Sequence, residues 1–426
     1  MDKKSVKPLE ELLDSVRDID GFPIGDDEDI LALSDPPFYT ACPNPYIEEF
    51  IEEYGNPYDP ENDDYKRKPF IANVSEGKNS SIYNAFSYHT KVPHKAIIPF
   101  IKHYTEPGDI VFDGFCGSGM TGVAAQMSNR RAILSDLSAA ASFIAYNYNN
   151  PANPKEFEKK ANEIIKAIEE ECNWMYETYH RGFDSKSNDI FSDNKSYQKG
   201  VINYTVWSDV LICPYCNAEY VFFDVAVIKE TKKVKDEYLC PECDAKINKK
   251  SSKRAFEELF DYSLKKTISQ AKQVPVLINY KIGKKKFDKA PDKHDLNILK
   301  NINEMEIPFW YPTNALPNGF NTEQPKRSHG ITNMHHFYTK RNLWILSSIW
   351  EKIEAIDLKI MFLILLVNNS RMSRYGSRTG NVSGTLYVPS MMKELNVLEY
   401  LKRKLKGQRG ILNPLNQLRL GLSNIL

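Results

Sequence analysis

Long apolar runs are missing from this chain of 426 residues. The longest, Ile360 to Val367, is eight residues, well short of the ~20 that a helix needs to cross a bilayer. It reads as a buried helix segment, and a membrane is not an expected partner. Net charge is missing too: 56 Lys and Arg balance 56 Asp and Glu, so the molecule as a whole attracts neither polyanions nor polycations. The charged N-terminus lacks the apolar core of a secretory leader, and the expectation is a cytoplasmic protein. No internal repeat is visible, which excludes a solenoid. Cysteine is sparse and patterned. Of seven, four stand in two C-x-x-C pairs, which suits metal thiolates in a reducing interior rather than a disulfide frame.

The balanced total hides an uneven distribution. Residues 1–65 hold about fifteen more acidic than basic side chains, so the remainder is positive by about as much. Basic clusters run from Lys229 to Lys235, Lys249 to Arg254, Lys284 to Lys286 and Lys402 to Arg409. Such clusters suit phosphate neutralisation on a nucleic acid, although solvated lysines on exposed elements account for many of them. The length is enough for two or three domains.

The most informative stretch is Gly108 to Gly122, GDIVFDGFCGSGMTG. A short apolar strand ends in Asp113, turns through Gly114, Phe115, Cys116, Gly117, Ser118 and Gly119, and enters a helix of small residues. Glycine permits positive φ and brings backbone close to a ligand. The layout is strand, nucleotide-type loop, helix at the head of an α/β sheet. Arg131 to Ser138 reads as a second strand ending in Asp136, at the offset where a carboxylate meets ribose hydroxyls. In an ordinary α/β core the same two acids would serve as caps or turn residues. Upstream, His89, Thr90, Lys91, Val92 and Pro93 precede a helix from His94 to Tyr104 and a turn at Pro107 and Gly108.

This order of H-x-K-x-P block, D-x-F-x-G-x-G loop and second acid resembles the amino-group (adenine-N6 or cytosine-N4) DNA methyltransferases. The resemblance implies a Rossmann-like sheet and S-adenosylmethionine as cofactor, with Asp113, Phe115, Gly117 and Gly119 along its methionine side, Asp136 at its ribose and the block around His89 to Pro93 closing the pocket. Gly114 departs from the proline usual after the motif aspartate. Members of the family use a [D/N/S]-P-P-[Y/F/W] tetrapeptide to hold the base amine and stack on the ring, and the match here is Asp35-Pro36-Pro37-Phe38. A proline-driven turn is the competing account. Only about fifty residues separate Phe38 from His89, too few for the sheet's remaining βα units at about thirty residues each. The chain also resembles the N-terminal part of larger zinc-containing DNA methylases, in which a further D-P-P-F segment lies beyond the counterpart of Leu426. The expectation is a truncated or split enzyme whose catalytic half is absent.

Cys213, Cys216, Cys240 and Cys243 form two knuckles joined by a lysine-tipped hairpin, Tyr220 to Ile228 and Lys235 to Leu239. Four thiolates in tetrahedral array suit structural zinc with no open position. Two other segments stand out. Thr332 to Tyr338 carries adjacent His335 and His336, whose side chains should diverge and serve packing. Arg371 to Arg378, with Tyr375 and Gly376 between the arginines, suits phosphate gripping and stacking as well as it suits a solvated loop.

The expected fold is α/β: residues 1–75 an acidic arm and proline/aromatic-rich segment, 76–180 a Rossmann-like domain, 200–255 a zinc-ribbon insert, and 256–426 a mixed α/β then helical region in contact with DNA. The expected function is methylation of an exocyclic base amine in DNA, adenine before cytosine. A non-catalytic zinc- and cofactor-binding module that needs a second polypeptide remains open beside it, as does an RNA or protein methyltransferase.

Overall fold

The computed structural model describes residues 13–15, 17–19, 22, 25–34, 38–39, 44, 46–88, 90–181, 197–228, 230–353, 359, 365–376, 380–382, 384–407 and 410–422. They form two compact units, Met1–Glu158 with Lys406–Leu426, and Lys159–Leu405.

The first unit is a small α/β arrangement. Helix α1 (Ile47–Tyr54) begins after Tyr46; the expected start at Pro45 lies outside the described residues. The short α2 (Ser81–Ala85) is capped by Ser80, whose side chain accepts from the Tyr83 amide at 3.1 Å. Helix α3 (His94–Tyr104) has the expected bounds. Then come strand β1 (Ile110–Asp113), helix α4 (Met120–Gln126), strand β2 (Arg131–Leu134) and helix α5 (Ala139–Asn149). β1 and β2 pair in parallel, Ile110 opposite Arg131 and Asp113 opposite Leu134. Parallel neighbours need a crossover, and α4 supplies it. Ile101, Ala124 and Ala125 are buried, with Ile97, Ile98, Val111 and Ala132 packed against them. Small residues in α4 let α5 come close: a Cβ on Gly122 would collide with Asn149 and Leu134. Among the described residues this sheet has two strands, which with α4 make a single βαβ unit.

The second unit is built on one long strand. Helix α6 (Pro154–Cys172), whose residues from Lys159 onward belong to it, buries Ala161, Ile164, Ile165, Ile168 and Cys172 on one face, as helical spacing predicts. Strand β3 (Glu177–Arg181) and the sixteen-residue β4 (Tyr197–Ile212) follow; most of the expected linker, residues 182–196, lies outside the described residues. β4 pairs antiparallel with β3, with β5 (Glu219–Val221), with β6 (Lys253–Arg254), with β9 (Gln273–Ile282) and with β11 (Met391–Leu395). Between β6 and β9 lies a separate hairpin, β7 (Phe256–Asp261) with β8 (Lys266–Ala271), and after β9 comes its partner β10 (Lys285–Lys289). Helix α8 (Lys293–Glu304) starts on a capping box of Asp292 and Asp295, and α9 (Lys340–Glu351) on Thr339.

One expectation changes. The first arm of the predicted hairpin, Tyr220 to Ile228, is broken by the helical turn α7 (Phe222–Ala226). Phe222, Phe223 and Ala226 are all buried, and a helical turn buries neighbours i, i+1 and i+4 together where a strand would alternate them. In the C-terminal region β11 returns to the main sheet before α10 (Val397–Lys406) and α11 (Leu412–Leu422). Of the helix expected from Leu358 to Met372, residues 358 and 360–364 lie outside the described residues, and Val367–Asn369 is a 3-10 turn. Among the described residues no helix is long and apolar enough to cross a membrane.

Candidate cofactor site and metal centre

The loop after β1 is set by its glycines and by two carboxylates. Gly117 has φ 53° and Gly119 φ 73°, left-handed values that cost a side-chain-bearing residue about 1–2 kcal/mol. Space is short as well. A Cβ on Gly117 would lie 3.1 Å from the Tyr88 ring, and one on Gly119 2.7 Å from the Cβ of Ala145. Asn149 on α5 donates to the Gly119 carbonyl at 3.0 Å and is itself held by Gln126 at 2.8 Å.

Asp136 ties the second strand to this turn. One of its oxygens accepts from the Gly117 amide at 2.8 Å and the other from the Ser138 amide at 2.9 Å. Cys116 donates its amide to the Ser135 carbonyl at 3.0 Å. Asp113 accepts from the Phe115 amide through Oδ1 at 3.1 Å; its Oδ2 carries no hydrogen bond among the described residues. Both acids are half-buried, while Phe115 (85%) and Leu137 (97%) stand almost fully exposed beside them. Exposed apolar side chains on either side of two carboxylates suit a ligand with an apolar face and hydroxyl donors. The Cys116 thiol is pushed up to about 11, by burial first and then by Asp136 and Asp113. It stays protonated and is no nucleophile. Ser118 is buried. Gly114 is not among the residues at positive φ, so its identity is not demanded by the backbone.

The upstream block is arranged differently from its motif. Lys91 is buried, and its ammonium donates to the carbonyls of Tyr83 and Phe86, the latter at 2.6 Å, and to the Tyr148 hydroxyl at 3.4 Å. Burial lowers it to about 8. What Lys91 can do for a cofactor is therefore indirect: it pins α2 and α5 together beside the loop. Pro93 caps α3, Thr90 sits at φ 62°, and His89 lies outside the described residues. Tyr88, which the motif did not flag, covers Gly117. Of the tetrapeptide, Asp35, Pro36 and Pro37 lie outside the described residues, and Phe38 stacks on Phe143 of α5 at 6.2 Å and 19°.

In the second unit, Cys213 and Cys243 have sulfurs 3.8 Å apart, Cys216 and Cys240 3.7 Å apart, and all four lie within 4.8 Å of one another. A tetrahedron with Zn–S of ~2.3 Å has edges of ~3.8 Å. The two knuckles share one design. In each, the residue after the second cysteine, Asn217 or Asp244, is left-handed. Its amide bonds back to the first cysteine's carbonyl at 3.0 and 3.1 Å, and the first cysteine's own amide bonds to Ala218 or Ala245 at 2.9 Å. Asn and Asp tolerate that conformation, a signal present in the sequence but not used there.

His335 and His336 do not diverge. Met334–Phe337 is a 3-10 turn, and both Nε2 atoms come to 2.8 Å from Oδ2 of Asp261. This trio has the composition of a metal site, but its protons argue otherwise. The Nδ1 of His336 accepts from the amides of Thr332 and Asn333, each at 3.3 Å. The ring proton of neutral His336 must then be on Nε2, donating to Asp261, which leaves no lone pair there for a metal. Burial alone would raise the Asp261 carboxyl, yet the bonds from His336 and His335 hold it at about 2.

Compared with known proteins, residues 19–147 match the family model described as DNA methylase, the N6/N4 class. No curated protein and no solved structure matches the chain.

Proposed function

We propose that this chain, whose residues 19–147 match the DNA methylase family model, binds S-adenosylmethionine over the Gly117–Gly119 turn and takes part in transferring its methyl group to an exocyclic amine of DNA, adenine before cytosine. The observation that carries this reading is the turn itself: two left-handed glycines, roofed by Tyr88, locked to the neighbouring strand by Asp136 and flanked by exposed Phe115 and Leu137. When bound, the cofactor supplies an electrophilic methyl on sulfur. Asp136 would accept from ribose hydroxyls with the lone pairs its backbone bonds leave free, and the uncommitted oxygen of Asp113 would face the methionine end. Zinc in the four-cysteine cluster is the structural part of the same proposal, in a compartment that keeps thiolates reduced.

The target base has to leave its stack, and its amine has to meet the methyl in line. Asp35 to Phe38 are the residues proposed for that contact. Phe38 already packs against Phe143, which supports a position in this unit and leaves the ring's role in stacking to experiment. Calorimetric titration of the cofactor into the full chain, repeated with Asp136→Asn, tests the binding step; the expected result is a clear heat that weakens at least tenfold in the variant. Tritium transfer from labelled cofactor to unmethylated DNA then tests the reaction. Cofactor binding without transfer would favour the module that works only beside a second polypeptide, and no cofactor binding would sink the reading.

A further inference from the structure

We propose that the second unit holds a DNA strand in a cationic, aromatic-walled groove formed where the four-cysteine module meets the segment around Arg374 and Tyr375, with phosphates gripped by Lys232, Lys249 and Arg374. This rests on the methylase reading only for the choice of DNA as the polyanion.

The groove is a cavity of about 350 Å³, with Phe222, Lys232, Lys249, Arg374, Tyr375 and Tyr387 among its lining. It shares Arg374 and Tyr387 with a second hollow of about 600 Å³ whose lining adds Arg327, Phe320 and Glu323. The lining of the first cavity contains no carboxylate. Nor does any of its three cations have an ion-pair partner within 4 Å among the described residues, although the chain as a whole is neutral and other lysines on this unit are paired, Lys272 with Glu219 and Lys281 with Glu399. Unpaired cations gathered in a concavity need an anion from outside.

Cations alternate with rings. The Lys232 ammonium lies 5.4 Å from the centre of Tyr375, Lys249 5.7 Å from Phe222, and Lys393 4.5 Å from Tyr204. Tyr204 and Phe223 in turn approach Tyr375 at 6.4 and 6.3 Å. Phe222 and Phe223 are buried and back the groove, while the half-buried rings of Tyr375 and Tyr387 give its lining a surface for bases beside cations that neutralise the backbone. The electrostatics agree. Burial and then Arg254 lower the Lys249 ammonium, while burial, Arg403 and Lys232 lower that of Lys393. Asp209 opposes the effect on Lys249, whereas Lys232 and Lys393 repel each other at the groove's side, and a phosphate placed between those two would relieve it.

The sequence explains why they meet. Lys232 sits on the turn between the two cysteine knuckles and Lys249 just after the second knuckle, so the module's fold delivers both. Arg374 and Tyr375 come from beyond α9, and their backbone bonds to Gly380 and Met391 at 3.4 and 3.0 Å hold them against the main sheet. Gly376, at φ 144°, lines the groove beside Tyr375.

The test uses the full chain and a fluorescein-labelled thirty-nucleotide DNA strand, read by anisotropy across a salt series. Lys232→Asn keeps a residue that accepts the left-handed backbone (φ 56° here), and Lys249→Met keeps the stem on Phe222. The pair should leave metal content and circular dichroism unchanged. Removing two phosphate contacts should make the slope of log K against log salt shallower by about 1.4 for a single strand and weaken binding about tenfold at moderate salt. Adding Arg374→Gln should extend both effects. An unchanged slope and affinity in the double variant overturns the proposal, as does tighter binding of RNA of the same sequence. Cofactor titration on the same variants should be unaltered. A parent chain that binds DNA in this manner but takes no cofactor would sink the methylase reading and leave the groove standing.

Discussion

Replacing Glu394 by alanine should cost the second unit about 3–5 kcal/mol, the range for breaking a buried ion pair and leaving its partner charged. The pair is Glu394 on β11 with Arg341 on α9, with side chains 1% and 2% exposed. Arg341 donates Nε to Oε1 at 3.0 Å and Nη2 to Oε2, while Nη1 donates to the Met175 carbonyl and Nη2 also to the Thr205 hydroxyl, at 3.0 Å each. The carboxylate also accepts from Thr339 at 2.5 Å and from the Trp207 indole at 2.8 Å. The carboxylate thus accepts four bonds and four of the five guanidinium protons are engaged, and removing the acid strands a guanidinium, a hydroxyl and an indole at once. Burial alone would raise the Glu394 carboxyl, but the Arg341 charge and bonds prevail and it is lowered. Its folded pKa being depressed, the stability it lends is fully present above the unfolded carboxyl pKa and is lost as pH falls through the folded one. Urea unfolding followed by far-ultraviolet circular dichroism at neutral pH measures the loss. Arg341→Met combined with Glu394→Leu should recover most of it, because two apolar side chains need no partners. The reasoning fails if Glu394→Ala lies within about 1 kcal/mol of the parent, or if the double variant is no better than the single one.

Gly119→Ala should destabilise the loop and α4 by about 2–4 kcal/mol, combining left-handed strain with overpacking against Ala145, read as lost hydrogen-exchange protection of residues 111–126. Gly283→Ala, equally left-handed but with nothing within 4 Å, should show the strain alone, about 1 kcal/mol, and an equal loss at both sites would refute the packing argument. His336 is lowered to about 4, by burial against the opposing bond from Asp261. It is therefore neutral when folded, and the unfolded chain takes up the extra proton first. Stability should fall as pH drops from about 6.5 towards 4, by up to about 3 kcal/mol, and His336→Gln should flatten that slope. Removing metal with a chelator should free four thiols and abolish exchange protection over residues 211–255 while leaving β1 and α4 protected. A chain purified with no bound zinc whose module is still protected would count against the metal.

What was legible in the sequence is what backbone geometry imposes locally. Gly117 and Gly119 are glycine because the turn is left-handed and crowded, and the cysteine knuckles need their spacing for the sulfurs to meet. Those two motifs, and helices such as α3 and α6, were readable because the reason for each residue lies within a few positions of it. The main sheet was not, since β4 acquires β11 from nearly two hundred residues away, and nothing in Met391–Leu395 names that partner. The histidine pair was misjudged for a related reason. Adjacent side chains diverge on a regular helix or strand, whereas a 3-10 turn brings both rings to one carboxylate, and that carboxylate ends a strand some seventy residues earlier.

Lys91 carries the argument furthest. Its place in the block before β1 suggested contact with a cofactor, but the ammonium is already satisfied by two carbonyls and a hydroxyl inside the unit. A motif lysine can therefore be demanded by architecture, holding the wall of a pocket without touching what fills it. Substitution separates the two roles. Lys91→Met keeps the stem and removes the donor, leaving the Tyr83 and Phe86 carbonyls short of a partner at about 1–3 kcal/mol each. A lysine that only positions would lower stability and cofactor affinity together, and stabilising the unit elsewhere would restore both. A lysine that touches the cofactor would lower affinity beyond repair by any such second change.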